Sequence, residues 1–206
     1  MNNRGQLIVL SGPSGCGKGT ILKELLTKEE KIRLSISLTT RAPRPGETDG
    51  IDYFYVTKER FASMVQDGAV LEHAEYCDNF YGTPRSNVEQ WRKEGYHVIL
   101  EIEPQGAFQI KKNCPDATMI FILPPSLKEL EHRLTDRGTE DEETVRKRLA
   151  AAIREIKQAP GYDYIVVNDL LSTAVEDVRA IIRAQQNSSA SMQSTVEAVL
   201  GESSGF

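Results

Sequence analysis

Residues 6–20, QLIVLSGPSGCGKGT, constrain this chain more than any other stretch. A short apolar run, Leu7 to Leu10, meets a glycine-rich turn, Ser11 to Gly17. Lys18 follows, and then a helix-like run from Thr20 to Leu26. Strand, glycine-rich loop and helix in this order are the context that a phosphate-cradling Walker A loop requires. Gly12, Gly15 and Gly17 let backbone N–H groups turn inward, the helix start adds a positive dipole end, and Lys18 supplies a point charge for the outer phosphates of a nucleoside triphosphate. The loop residues expected to bind are Gly12, Pro13, Ser14, Gly15, Cys16, Gly17, Lys18, Gly19 and Thr20. The usual pattern puts a hydroxyl directly after the lysine. Here Gly19 stands in that place and Thr20 comes one position later, so a Mg²⁺ ion is expected to be held mainly by water and phosphate oxygens.

Beyond the loop, strand and helix patterns alternate. Five near-continuous apolar runs are read as strands: Leu7–Leu10, Leu34–Leu38, Val98–Ile102, Thr118–Leu123 and Tyr164–Val167. With helical segments between them they predict an α/β fold whose five-stranded parallel sheet is covered on both faces. Ligands of such sheets sit at the carboxyl ends of the strands, where the loop, Ser37, the Glu101/Glu103 pair and Asn168 all fall. Asp52–Val56 and Ala69–Tyr76 read as further short strands, and Lys58–Gln66 and Ser86–Lys93 as helices. About sixty residues separate the second and third core strands, too many for a simple crossover, which predicts an inserted subdomain. Ser126 and Glu129 form a capping-box signature ahead of a helix over Leu127–Thr135. A charged helix over Glu142–Lys157 follows, and the serine-rich tail from Asn187 is expected to be mobile or loosely docked.

Composition narrows the function class. A net charge of −5 over 206 residues argues against broad nucleic-acid binding, and no apolar run approaches the length of a membrane span. The start, MNNRGQ, lacks the apolar stretch of a signal peptide, and Cys16, Cys77 and Cys114 lie far apart with no C-x-x-C, so a reducing cytoplasm is expected. Cys16 lies inside the loop, where backbone N–H groups would make its thiol more acidic and sensitive to oxidation. His73, His97 and His132 share no metal-ligand spacing.

Arg41 and Arg44 flank Ala42-Pro43, an extended dipeptide that can aim both guanidiniums at one anion. Alone, the pair reads as two surface arginines in a loop. The wider pattern is more specific. SISLTTRAPRPGETDGIDY, VLEHAEY, NFYGT, ILEIEPQG, RGTEDEE with KRLAAA, and YDYIVVND together resemble guanylate kinase from about Gly5 to about Ala184.

The resemblance implies one domain in three parts: a core (1–34, 97–125, 158–186), a GMP-binding insertion (35–96) and a helical lid (126–157). It implies Mg-dependent, reversible transfer from ATP to GMP, and to dGMP, in purine nucleotide metabolism. It assigns Arg41, Arg44, Tyr53 and Tyr81 to the GMP phosphate, and Ser37, Glu72, Thr83 and Glu103 to guanine. A carboxylate can accept from guanine N1–H and N2–H while hydroxyls donate to O6, and adenine presents the opposite pattern. The LEIE run departs from the family's Asp-x-Asp, which lengthens Glu101 and Glu103 by a methylene each. Thr20 and Glu101 are the groups implied near the metal. Lys18, Arg41, Arg133, Arg137 and Arg148 are implied around the transferring phosphoryl group, and Asn168 near adenine. For Arg133 and Arg148 a solvated helix face is the plainer alternative.

The alternative functions are a non-catalytic binding module of the same fold, a kinase for another nucleoside monophosphate, and an NTPase acting on macromolecules. An intact Gly17-Lys18 argues against the first, the guanine-reading runs against the second, and size with acidic balance against the third.

Overall fold

The computed structural model describes residues 4–76, 78–135 and 142–202. In chain order the elements are β1 (Leu7–Ser11), α1 (Lys18–Lys28), β2 (Ile32–Leu34), β3 (Leu38–Thr39), β4 (Phe54–Tyr55), α2 (Lys58–Gln66), β5 (Val70–Tyr76), β6 (Asn79–Pro84), α3 (Arg85–Lys93), β7 (His97–Glu101), α4 (Pro104–Asn113), β8 (Thr118–Leu123), α5 (Leu127–Thr135), α6 (Glu142–Ile156), β9 (Tyr164–Val167), α7 (Leu171–Gln186) and α8 (Ser189–Glu202).

Five strands form a parallel sheet in the order β2-β7-β1-β8-β9. Every residue of β1 is buried, because the strand lies mid-sheet with helices on both faces. Its side chains alternate between two cores. Ile8 and Leu10 pack with Ile21 and Leu25 of α1 and with Val175 and Val178 of α7. Leu7 and Val9 pack with Val88 of α3 and with Ala107 and Ile110 of α4. Burying each of these valine, leucine and isoleucine side chains stabilises the fold by about 1.5–3 kcal/mol, an upper bound against an extended chain.

A second, four-stranded sheet runs β4-β3-β6-β5. Its core is Leu38, Phe61 and Val70, with the Phe61 and Phe80 rings stacked at 5.6 Å. Two strand predictions are corrected by the fold. Leu34–Leu38 is not one strand: Leu34 ends β2, the Ser35 N–H bonds the Ile99 carbonyl, and Leu38 opens β3 in the other sheet. An apolar run can serve two sheets in succession, and hydrophobicity carries no mark of the crossing. Ser37 lies in that crossing, which puts it at the junction of the sheets. The other correction is that the strand expected over Val98–Ile102 spans His97–Glu101, and Glu103 lies beyond it as the N-cap residue of α4 ahead of Pro104. The strand β6, which no sequence period marks, pairs with both β3 and β5.

Leu130 and Leu134 of α5 pack with Val145 and Ala152 of α6. Ser126 Oγ accepts from the Glu129 N–H at 3.0 Å, as its capping signature predicts. The serine-rich tail carries α8, on which Val196, Val199 and Leu200 are exposed. Among the described residues no helix is long and apolar enough to cross a membrane.

Candidate active site

The carboxyl ends of β1 and β7 open into a cleft of about 470 Å³, walled on its far side by the second sheet. Gly12, Ser14, Lys18, Ser37, Tyr53, Glu72, Tyr81, Glu101 and Glu103 line it, and so do Gly106 and Glu155. A larger hollow of about 880 Å³ lies at the opposite end of the sheet, against α8. Its arginines and lysine are paired, Arg4 with Glu89, Arg92 with Asp116 and Lys111 with Asp163, whereas the smaller cleft joins the loop after β1 to the second sheet.

The loop between β1 and α1 is built as its glycines require. Gly12 has φ 151°, and a side chain there would come within 2.4 Å of the Ile122 carbonyl oxygen. Gly17 caps α1 in the left-handed region, φ 94°. Lys18 Nζ donates to the Gly12 and Pro13 carbonyls at 2.6 and 3.3 Å. Leu130 and Leu134 of α5 rest on Gly15, and Arg148 of α6 donates to Ser14 Oγ at 2.5 Å. Both helices therefore touch the loop. Thr20 is exposed in the first turn of α1, and Gly19 faces open space.

Cys16 does not match its expected reactivity. The side chain is fully buried, and burial pushes its thiol up despite the nearby Lys18. A buried, protonated thiol is a poor nucleophile.

The opposite wall is shaped by a β-bulge. The β5–β6 register shifts between Val70 and His73, and bulges re-aim side chains. Glu72 lies in that interval, 5% exposed, with its carboxylate accepting from Thr83 Oγ1 at 2.7 Å. Burial pushes the Glu72 carboxyl up, and the Thr83 hydrogen bonds oppose that shift. Glu101 is open to solvent within the cleft yet deep between its walls; desolvation pushes its carboxyl up and Lys18 pulls it down. Glu155 is raised by desolvation and then by Glu103, against Lys18.

Arg41 and Arg44 stand on the loop beside this wall rather than on the cleft lining. Both Arg41 terminal nitrogens donate to Glu47, each at 2.9 Å, and the guanidinium lies 5.4 Å from the Tyr53 ring centre. Glu47 also accepts from the Arg44 N–H at 2.7 Å and from the Tyr55 hydroxyl at 2.8 Å. These donors hold its carboxyl down at about 2 and, in turn, raise Arg41. Tyr53 and Tyr81 meet edge to face at 6.1 Å.

Arg133 donates to Glu129 at 2.9 Å and to the Asn168 carbonyl at 3.1 Å. Asn168 itself is buried, its amide donating to the Cys16 carbonyl at 2.8 Å. Arg137 lies outside the described residues. Sequence reasoning does not single out Glu47, Tyr55, Gly106 and Glu155. Glu155 carries a usable signal: it follows Arg148 by seven residues, two helical turns along one face.

The match to a family model is decisive: the model described as guanylate kinase fits residues 4–185. The chain belongs to the guanylate kinase family. Curated guanylate kinases support this at high identity. That of Oceanobacillus iheyensis is 51% identical over 185 residues, 90% of this chain and 90% of its own. That of Clostridioides difficile is 49% identical over 184 residues, 89% of this chain and 90% of its own. The crystal structure of guanylate kinase from Anaplasma phagocytophilum superposes with a TM-score of 0.72 at 38% identity, covering 90% of this chain and 88% of that one. As a guanylate kinase, this chain is an enzyme, a nucleotide-binding phosphotransferase with an α/β fold.

Proposed function

We propose that this guanylate kinase transfers the γ-phosphoryl group of ATP to GMP, and to dGMP, at the cleft between its two sheets. One observation carries the reading: the buried carboxylate of Glu72 and the ammonium of Lys18 line opposite walls of one cavity. The retained phosphate loop speaks against a non-catalytic binding module. ATP seats its phosphates on Gly12 to Thr20, where Lys18 exchanges the Gly12 and Pro13 carbonyls for phosphate oxygens. GMP lies across the second sheet. Its phosphate meets Arg41, Arg44, Tyr53 and Tyr81, and its base meets Ser37, Glu72, Thr83 and Glu103.

The attacking group is a GMP phosphate oxygen, anionic at neutral pH, so the site needs no general base. Catalysis rests on alignment and charge neutralisation. Lys18, Arg41, Arg133, Arg137 and Arg148 neutralise the transferring group. The contacts of α5 and α6 with the loop give a lid that excludes water and keeps ATP from hydrolysis.

Mg²⁺ fits this donor set. Among the described residues no three His, Cys, Asp or Glu side chains form a metal cage, and Gly19 offers no hydroxyl. An ion held through water and phosphate oxygens, with Glu101 and Thr20 beside it, suits a hard cation that keeps its water. When bound, it supplies charge neutralisation on the phosphates. Purified chain given ATP, GMP and Mg²⁺ should form ADP and GDP in equal amounts, and chelation should stop the reaction. Absent turnover with both substrates present would overturn the reading.

A further inference from the structure

Asn168 follows β9 directly and is 6% exposed. Three contacts hold it. Its N–H donates to the Leu123 carbonyl at 2.8 Å, its carbonyl accepts from Arg133 at 3.1 Å, and its side-chain amide donates to the Cys16 carbonyl at 2.8 Å. The amide nitrogen also lies over the α-carbon of Gly17, where an added Cβ would come within 2.3 Å of it. The side chain therefore closes on the last two loop residues before Lys18.

We propose that Asn168 is a positioning residue of the donor site, acting on triphosphate through the phosphate loop. This inference rests on the donor-site reading above. A trans peptide is planar, and its C=O and N–H point in opposite directions. Holding the Cys16 carbonyl toward Asn168 aims the Gly17 N–H away from it, toward the concave side of the loop. That N–H, at the start of α1, is among the donors a phosphate would meet. One amide N–H is spent on the Cys16 carbonyl, and losing it leaves that carbonyl without this partner, a cost that falls on the loop. The contact between the amide and Gly17 gives that glycine a second requirement besides its left-handed φ. Arg133 holds the Asn168 main chain and not its side chain, so truncating the side chain leaves the Arg133 contact in place.

The test separates loop from base. ATP, ITP and inorganic tripolyphosphate are titrated calorimetrically into wild type, Asn168→Ala and the isosteric Asn168→Asp, with melting curves for each. Both variants should lose affinity about 10-fold or more, by the same factor for all three ligands, while GMP affinity stays at the wild-type value. A loss confined to ATP would make Asn168 a base contact, and unchanged affinities in a folded variant would remove it from the donor site. Either result overturns the inference. If the variants do not fold, the wild-type side-chain amide resonance of Asn168 decides. It should stay protected from solvent exchange and should shift with tripolyphosphate as it does with ATP. A response to ATP alone overturns the inference. A wild type that binds none of the three ligands removes the donor-site reading itself, a distinct failure.

Discussion

The Glu72 carboxylate lies against the α-carbon of Gly106: a Cβ at that position would come within 2.4 Å of Oε2. Gly106 is buried in the first turn of α4, and its φ lies outside the left-handed region, so the backbone itself would accept alanine. The glycine is required by its neighbour. It leaves Glu72 room to stand between Thr83 and the cleft.

Gly106→Ala should therefore act on the acceptor side. The added methyl must displace the carboxylate, and overpacking of this kind costs about 1–3 kcal/mol. The KM for GMP should rise about 10-fold or more, with the KM for ATP unchanged. Steady-state kinetics with each substrate varied would check it, and an unaltered KM for GMP would count against a Glu72 that reads the base.

Burial gives Glu72 a measurable signature in stability. Its carboxyl is raised above the ordinary 4.5, so the folded chain holds this proton more tightly than the unfolded chain does. Ionising Glu72 in the fold carries no penalty below pH about 4.5. The penalty grows as pH rises through the interval up to the folded value and is constant beyond it. Glu72→Gln cannot ionise. It should melt above wild type near neutral pH, with the difference closing toward pH about 4.5. A difference independent of pH would contradict the shift.

Glu47 gathers the Arg41 guanidinium, the Arg44 N–H and the Tyr55 hydroxyl on one carboxylate. Glu47→Gln removes half of the paired bridge to Arg41 and should raise the KM for GMP severalfold while sparing ATP. Because the Glu47 carboxyl is held at about 2, the bridge is intact throughout any practical assay range. A pH dependence of GMP affinity that vanished in this variant would be unexpected.

Lys18→Ala removes the only ammonium among the described residues that line the cleft. Turnover should fall about 100-fold or more, as when a charge-stabilising donor is lost, while calorimetry shows GMP binding retained. Near-normal turnover would exclude Lys18 from the chemistry.

The core sheet is legible in the sequence because its central strands, β1, β7 and β8, are buried on both faces and so read as continuous apolar runs, and β9 keeps the apolar run although Ile165 and Val167 are exposed. The phosphate loop is legible because its glycines, Lys18 and flanking elements are adjacent in sequence. The second sheet is harder. Leu34 and Leu38 belong to different sheets yet sit in one apolar run, and β6 mixes Asn79, Tyr81 and Gly82 without a period. The Glu47 bridge, the Gly106 contact and the Asn168 amide arise from folding, each joining residues that no local pattern links. Cys16 misleads because its sequence context shows the nearby N–H groups and Lys18 but not the packing that buries the thiol.

A substrate panel tests whether a phosphate loop and a guanine-reading carboxylate share one cleft. ADP formation from ATP should be measured for wild type and Glu72→Gln with GMP, dGMP, AMP, UMP and CMP as acceptors. Wild type should use GMP and dGMP, with the other three slower by about 10⁴-fold, and Glu72→Gln should lose most of its GMP activity. Equal turnover of AMP and GMP by wild type, or a GMP preference unchanged in Glu72→Gln, would contradict the shared cleft.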